Sequence, residues 1–156
     1  MKYFYSCLMF GEGRRDKNFL YALISLKKFK DHTEKWTFTT DGASGISPKT
    51  ILDQCRKSAL GKSYDLIICF IDLDKLRNDY RKRWEVEQKK LEEGYGDITI
   101  IWQDPNAEGE MIKVLGDHHC GKHKLNKIAK QKVEKFINSE FWKKILKPIK
   151  DKESER

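Results

Sequence analysis

The sequence predicts an α/β fold in which helices sandwich a mainly parallel four-stranded sheet. Segments of strand character alternate with segments of helical periodicity along the chain, which is typical of parallel strands joined by helices. The segment 66–71 (LIICFI) is the most apolar, as expected of a central strand covered on both faces. With 156 residues, the chain has the length of one domain and can bury a hydrophobic core.

Strands are predicted where aromatic and β-branched residues cluster, at 3–10, 36–40, 66–71 and 97–102. Helices are predicted from apolar periodicity, capping residues and charge patterning, at 16–30, 48–60, 77–93 and 107–115. A basic helix or helix pair then follows and ends at Pro148. We therefore expect one domain over residues 1–148, which includes the basic helical segment 122–148, and a polar tail over 149–156.

The charge distribution points to an anionic partner, with nucleic acid as the first candidate. Lys and Arg number 32 against 24 Asp and Glu, so the formal net charge is +8. The excess is +7 within residues 121–156 and only +1 in the rest of the chain. The lysines of this segment that we expect to contact phosphates are Lys122, Lys124, Lys127 and Lys130. Alternatively, these lysines only solvate the outer face of an amphipathic helix.

The cysteines and the N-terminal segment predict a cytoplasmic protein without membrane association. Cys7, Cys55, Cys69 and Cys120 lack the spacing of a zinc finger or of a secreted disulfide scaffold. The N-terminal segment has no signal-peptide pattern, and no apolar run approaches the ~20 residues of a membrane span. A mean hydropathy of −0.74 agrees with this interpretation.

Three histidines and one cysteine cluster late in the chain, at His118, His119, Cys120 and His123. Zinc prefers these residue types as ligands, so a structural zinc site is one interpretation. The sequence offers no second pair of ligands to complete such a site. We therefore favour a polar loop near the active edge of the sheet, where one histidine assists proton transfer or holds a phosphate.

Acidic residues follow three of the predicted strands. Glu12 and Asp16 come after the first strand, Asp72 and Asp74 after the apolar strand, and Glu108 after the last strand. Because the carboxyl ends of parallel strands meet at one edge of a sheet, we expect these carboxylates to lie close together. Oxygen ligands in such a cluster suit Mg²⁺ or Mn²⁺. Each acid taken alone is equally well explained as a helix cap that matches the helix dipole.

Two of these acidic segments resemble known motifs. Glu12-Gly13-x-x-Asp16, followed by an apolar helix, is similar to the first motif of TOPRIM domains. Asp72-x-Asp74, which closes the strand LIICFID, is similar to the second motif. TOPRIM domains occur in topoisomerases, primases, RNA maturases and OLD nucleases, and the resemblance is closest to small stand-alone proteins of the RloB type associated with bacterial defence and restriction.

A third segment extends the resemblance to residues 3–116. Pro105-x-x-Glu108 is similar to the Asn-Pro-x-x-Glu motif of these proteins, with the first two residues in the order Pro105-Asn106 here. An alanine precedes Glu108 where an aromatic residue is usual, and Glu110 stands where an apolar residue is usual. The third acid of the site is therefore either Glu108 or Glu110.

The resemblance implies a Mg²⁺- or Mn²⁺-dependent endonuclease that hydrolyses phosphodiester bonds of DNA or RNA. The catalytic residues that it implies are Glu12, Asp72, Asp74 and Lys113. The metal ligands that it implies are Glu12, Asp16, Asp72, Asp74 and Glu108. The residues expected to contact phosphates, beside the lysines of the basic segment, are Arg14 and Arg15. A separate ATPase partner and a homodimer are both compatible with the resemblance.

Two other functions remain open from the sequence. The first is a non-catalytic nucleic-acid-binding or regulatory subunit with the same fold. The second is a receiver-like phosphoacceptor domain, which also uses acids at strand ends with Mg²⁺. Receiver domains place their acid pair after the first strand, whereas Asp72 and Asp74 follow the third. We therefore rank the phosphoacceptor function below the other two.

Overall fold

The computed structural model describes residues 5–11, 35–42, 47–104, 106–116, 131–137 and 139–155. These ranges contain a four-stranded sheet in which all neighbouring strands are parallel. The strands are β1 (Tyr5–Gly11), β2 (Trp36–Gly42), β3 (Leu66–Asp72) and β4 (Thr99–Gln103). Their order in the sheet is β2-β1-β3-β4. The predicted α/β class and the predicted parallel sheet are confirmed, and each strand lies within two residues of its predicted bounds.

Five α-helices lie in the described ranges: α1 (Pro48–Ala59), α2 (Leu73–Tyr80), α3 (Trp84–Gly94), α4 (Ala107–Leu115) and α5 (Glu140–Ser154). Short 3₁₀ helices occur at Arg81–Arg83 and Val133–Phe136. None of these helices combines the length and the apolar character needed to cross a bilayer. The predicted helix at 16–30 and the lysines of residues 122–130 lie outside the described residues.

The core is divided between the two faces of the sheet. On one face, Phe70 and Ile101 belong to a buried cluster with α4, the second 3₁₀ helix and α5. On the other face, Leu8 and Ile71 belong to a cluster with α1. The alternation follows from the strand geometry, because successive side chains point to opposite faces. Helical segments therefore cover both faces, and the predicted sandwich arrangement is confirmed for the described residues.

The described cysteines are buried thiols. Cys7, Cys55 and Cys69 have no exposed surface and form no disulfide. Burial raises the pKa of the Cys7 thiol, because the thiolate would lose its hydration. Cys7 and Cys69 therefore act as small buried apolar residues of the core.

The charged segment after β3 differs from its predicted form. The charge pattern predicts one helix over 77–93, but α2 begins directly after β3 at Leu73, and the helix is interrupted at Arg81. Leu73 and Leu76 are buried, which stabilises the earlier start. Arg81 has a φ of 37°, in the left-handed region that a helix interior does not allow. Asp72 therefore ends β3 at the N-cap position of α2, and Asp74 lies in the first turn of that helix.

The end of the chain also differs from its predicted form. We expected the helix to end at Pro148 and the tail to be polar, but α5 continues through Pro148 to Ser154. Ile149 is fully buried one turn after Ile145, so the apolar stripe extends past the proline. The indole nitrogen of Trp36 donates a hydrogen bond of 3.1 Å to the carboxylate of Glu153. Proline removes one helical hydrogen bond, and the packing of Ile149 offsets this loss.

Candidate functional site

The carboxyl ends of the strands meet at one edge of the sheet, where the strand order reverses. β2, which follows β1 in sequence, lies beside β1 at one end of the sheet, whereas β4, which follows β3, lies beside β3 at the other end. The order therefore reverses between β1 and β3. In open parallel sheets, ligands bind beyond the strand ends at such a reversal. Gly11 ends β1 and Asp72 ends β3 at this edge. The predicted acid pair, Asp72 and Asp74, therefore lies at the end of β3, one of the two strands that flank the reversal.

Asp72 and Asp74 occupy the junction between β3 and α2. Asp72 is the last residue of the strand and the N-cap position of the helix, but its side chain does not cap the helix. Asp74 lies in the first helical turn, where the helix dipole favours a negative charge. The interpretation of Asp72 as a capping residue is therefore not supported by the geometry.

Asn106 connects this junction to the segment after β4. Its side-chain oxygen accepts a hydrogen bond of 2.8 Å from the backbone nitrogen of Gly109 and so caps α4. Its side-chain nitrogen donates a hydrogen bond of 3.0 Å to Oδ2 of Asp74. The second and third motifs, which are 32 residues apart in the sequence, are thus held together by one amide.

An ion pair strengthens the same connection. Nη1 of Arg77 in α2 lies 2.8 Å from Oδ1 of Asp104, the residue that follows β4. The guanidinium of Arg77 also lies 4.7 Å from the centre of the Trp84 ring, a cation–π distance. Both charged groups are at least a third exposed, so we expect the pair to contribute no more than ~1 kcal/mol to stability. Its main effect is to fix the turn after β4 against α2.

Glu110 is the buried acid of the region, with 4% of its surface exposed. Its Oε2 accepts a hydrogen bond of 3.1 Å from the backbone nitrogen of Asp104. Two lysines neutralise it: Lys113 at 3.4 Å from Oε1 and Lys144 at 3.3 Å from Oε2. The carboxylate therefore serves to close the turn between β4 and α4. Of the two candidates for the third acid, Glu110 is therefore the one whose carboxylate is already paired with lysines.

Lys113, which the resemblance implies as a catalytic residue, lies in the last turn of α4 with Glu110 as its partner. Its side chain is 53% exposed. Lys144, which no motif marks in the sequence, reaches the same acid from α5 and also donates to the carbonyl of Trp102. Two cationic groups therefore stand beside the turn that follows β4.

Gln103 is the second buried polar residue at this edge, with 5% of its surface exposed. It ends β4 and pairs in register with Asp72 of β3. Its side-chain oxygen is buried and has no hydrogen-bond partner. Desolvation without a partner costs roughly 1–3 kcal/mol, so a buried amide oxygen of this kind normally has one.

A separate polar network lies on the face of the sheet that α1 covers. The phenol of Tyr95 donates a hydrogen bond to Asp53 of α1, and the guanidinium of Arg56 lies 4.4 Å from the centre of the Tyr95 ring. Burial, together with this hydrogen bond, raises the pKa of Tyr95 to about 12. The hydrogen bond from Arg56 lowers the pKa of Asp97. This network fixes α1 to the turn before β4 and contains none of the predicted site residues.

Several predicted site residues lie outside the described residues: Glu12, Arg14, Arg15, Asp16, Lys122, Lys124, Lys127 and Lys130. The His/Cys cluster at 118–123 lies outside them as well, and so does the side chain of Glu108. Across the described part of the chain, no group of three or more His, Cys, Asp or Glu side chains could hold a metal ion. The structure thus brings Asp74 close to Asn106 and pairs Asp72 with Gln103.

Asn106 lies within the third motif, and asparagine is among the residue types preferred at a helix N-cap. Gln103 belongs to none of the motifs. Gln103 could be found only from strand register, because its significance comes from the strand beside it. The chain matches no protein-family model, and comparisons with curated proteins and with solved structures each found no significant match.

Proposed function

We propose that the protein is a cytoplasmic, Mg²⁺-dependent nuclease of the TOPRIM type that hydrolyses phosphodiester bonds of DNA or RNA. The observation that carries the proposal is the acid pair Asp72 and Asp74 at the strand-order reversal, joined to the segment after β4 by Asn106. Glu12 directly follows Gly11, which ends β1 at the same edge.

The donor atoms of this edge fit a divalent cation. Asp72, Asp74 and Gln103 all present oxygen, the donor that Mg²⁺ and Mn²⁺ prefer. The buried, unpartnered oxygen of Gln103 is a position that a cation can satisfy. Asp72 and Asp74 would hold the ion, and Glu12, Asp16 and Glu108 are the further ligands that the sequence resemblance implies. When bound, the ion would offset negative charge on the phosphate in the transition state.

The residues of the chain have distinct parts in this proposal. Glu12, which follows β1, is either a metal ligand or the general base that accepts the proton of the attacking water. Asn106 orients the carboxylate of Asp74 by donating a hydrogen bond to Oδ2. This bond also fixes the direction of the other carboxylate oxygen. Lys113 and Lys144 lie beside Glu110 at the turn after β4. A phosphate oxygen can there replace Glu110 as the partner of one of these lysines.

The charge of the chain fits a polyanionic substrate. The net charge of +8 is concentrated in residues 121–156. Within the described part of that segment, Lys135, Lys143 and Lys147 are exposed. Contacts of this kind bind nucleic acid without regard to sequence and weaken as salt rises. They leave the choice between DNA and RNA to the substrate assay.

The test is a nuclease assay on plasmid, single-stranded DNA and total RNA, each with Mg²⁺, with Mn²⁺ or with EDTA. Asp74→Asn is the test variant, and Asp79→Asn is the matched control because Asp79 is an exposed residue of the same helix. We expect cleavage by the wild type and by Asp79→Asn with either metal, and none with EDTA. Equal cleavage by Asp74→Asn would contradict the proposal, since the acid pair would then be dispensable.

A second function is favoured by one observation. Glu110, the buried acid after β4, is neutralised by two lysines, so the turn beside it carries cationic groups that can contact an anionic partner. A non-catalytic nucleic-acid-binding or regulatory subunit needs no metal site; a stable turn with exposed cationic side chains is enough for it to bind its partner. Binding of nucleic acid that is unchanged by EDTA, without cleavage of any of the three substrates, would favour this function over the nuclease.

A further inference from the structure

The oxygen of Gln103 is an unexplained feature of the carboxyl edge. The side chain is buried, with 5% of the residue exposed, and its oxygen has no partner among the described residues. A buried amide oxygen is satisfied either by a hydrogen-bond donor or by a cation. Lys144 reaches the same end of β4, but it donates to the carbonyl of Trp102 and to Glu110. The oxygen therefore requires a partner from outside the described residues.

The strand register brings Gln103 and Asp72 together. The two residues pair directly across β3 and β4, and the strands of a parallel sheet lie ~4.8 Å apart. Two residues earlier, Phe70 pairs with Ile101, and both lie in the core cluster beneath α5. Side chains of the same strand two positions apart point to the same face. Asp72 and Gln103 therefore project from the same face of the sheet, side by side.

A carboxylate and an amide oxygen placed side by side form an acceptor-only pair. An ionised carboxylate has no proton to donate to the amide oxygen, so these two oxygens cannot satisfy each other. Mg²⁺ and Mn²⁺ accept both carboxylate and amide oxygens as ligands, so a divalent cation bound by Asp72 would satisfy the oxygen of Gln103. Gln103 is buried at the end of β4, and Glu110 fixes the backbone of the next residue, Asp104.

We propose that the side-chain oxygen of Gln103 is a neutral ligand of the divalent cation held by Asp72 and Asp74. The proposal rests on the metal site of the proposed function and adds a ligand from a different strand. The ligands of the cation then come from β3, α2 and β4. It also gives the cation a ligand whose removal changes no charge.

The test measures Mn²⁺ binding to the full chain by isothermal titration calorimetry, without substrate. Gln103→Met keeps the size of the side chain and removes the oxygen, and we expect Mn²⁺ affinity to fall about tenfold. Gln103→Glu supplies a charged ligand in its place. We expect it to bind Mn²⁺ at least as tightly as the wild type and to melt at a lower temperature without metal, because two carboxylates then lie side by side.

The matched control is Gln54→Met. Gln54 carries the other buried, unpartnered side-chain oxygen of the described residues, but it lies on α1, which covers the opposite face of the sheet. We expect Gln54→Met to bind Mn²⁺ like the wild type. An equal loss of affinity in both methionine variants would assign the effect to general changes in the fold and overturn the proposal.

Asp72→Asn separates this inference from the proposed function. Mn²⁺ binding that is lost in Asp72→Asn but unchanged within twofold in Gln103→Met overturns the role of Gln103 and leaves the metal site intact. Absence of Mn²⁺ binding in the wild type overturns both. Should Gln103→Met fail to fold, Gln103→Glu decides, since a Mn²⁺ affinity below that of the wild type contradicts a ligand at this position.

Discussion

The side-chain amide of Asn106 joins Asp74 to the first turn of α4. Its nitrogen donates to the carboxylate at 3.0 Å while its oxygen accepts from the backbone of Gly109 at 2.8 Å. One residue thus ends a loop, begins a helix and orients an acid on another helix. The two bonds can be separated by substitution, because serine also caps a helix but cannot reach in both directions.

Replacing Asn106 should separate stability from activity. Asn106→Ala should lower the free energy of unfolding by ~1 kcal/mol through loss of the cap, whereas Asn106→Ser should be nearly neutral. Both should reduce cleavage, because Asp74 loses its orienting donor. Ser47→Ala, which removes the cap of α1, is the control: it should cost similar stability and leave cleavage unchanged. Full activity in Asn106→Ser would mean that the contact with Asp74 is only structural.

Asp72→Asn tests the acid itself. The substitution keeps the size of the side chain and removes a charge that a divalent ion requires. Without metal, we expect the melting temperature to be equal or slightly higher, because like charges at the edge repel less. Cleavage should fall by at least ~100-fold. Added Mg²⁺ should raise the melting temperature of the wild type by mass action and have little effect on the variant. A variant that melts early while Mg²⁺ affects neither protein would instead show a structural aspartate.

Lys113 and Glu110 should respond differently to substitution. Glu110→Ala removes the acceptor of the Asp104 backbone nitrogen and the partner of two lysines, so it should cost ~1–3 kcal/mol of stability. Lys113→Met should cost less than ~1 kcal/mol, because this exposed lysine leaves Glu110 paired with Lys144. Chemical denaturation measures both. Cleavage should nevertheless fall in Lys113→Met if the lysine contacts the phosphate, and unchanged cleavage would remove Lys113 from the catalytic residues.

The basic segment can be tested by its salt dependence. Neutralising Lys122, Lys124, Lys127 and Lys130 together to Gln should weaken nucleic-acid binding. The slope of log K against log salt should also become shallower, by up to ~1 for each phosphate that the variant no longer neutralises. Fluorescence anisotropy at several salt concentrations gives the slope. Neutralising Lys49, Lys57, Lys62 and Lys89 is the control for total charge. The same slope in wild type and test variant would leave the segment as a solvated surface.

Tyr95 should make stability fall in alkali. Its pKa is about 12 in the folded protein, above the usual value of 10. The unfolded chain therefore releases the proton first, so the folded state binds more protons between these values and loses stability as the pH rises from 10 to 12. Denaturant titrations across this range should show the decline, reduced in Tyr95→Phe. The exposed Tyr80 provides the control, since Tyr80→Phe should keep the decline of the wild type.

The elements that the sequence predicted best are those with a purely local signal. β3 was found from an apolar run, and α4 from the periodicity after Asn106, with the same bounds of 107–115. The error at the end of the chain came from treating one local signal as decisive. Pro148 suggested a helix end, although Ile149 continues the stripe of Ile145, and tertiary packing outweighs the missing hydrogen bond.

The candidate site was predictable only in part. Asp72 and Asp74 stand at the end of the most apolar run, so their place at the sheet edge followed from the strand alone. Their neighbours depend on which strands lie side by side. No residue spacing predicts that β4 lies beside β3. The place of Gln103 next to Asp72 is therefore known only from the strand register. The pairing of Glu110 with Lys144 of α5 is likewise an interaction between residues 34 positions apart.

The hydrogen bond between Trp36 and Glu153 spans 117 residues, and it has a consequence for how the chain reaches its fold. The face of the sheet that carries Trp36 is covered in part by α5, and this part of the cover is missing until the segment around Ile149 has been made. At ~5–20 residues per second, synthesis of the intervening chain takes on the order of ten seconds. During that time the nascent chain lacks the helix that covers Trp36, and exposed apolar surface of this kind promotes aggregation.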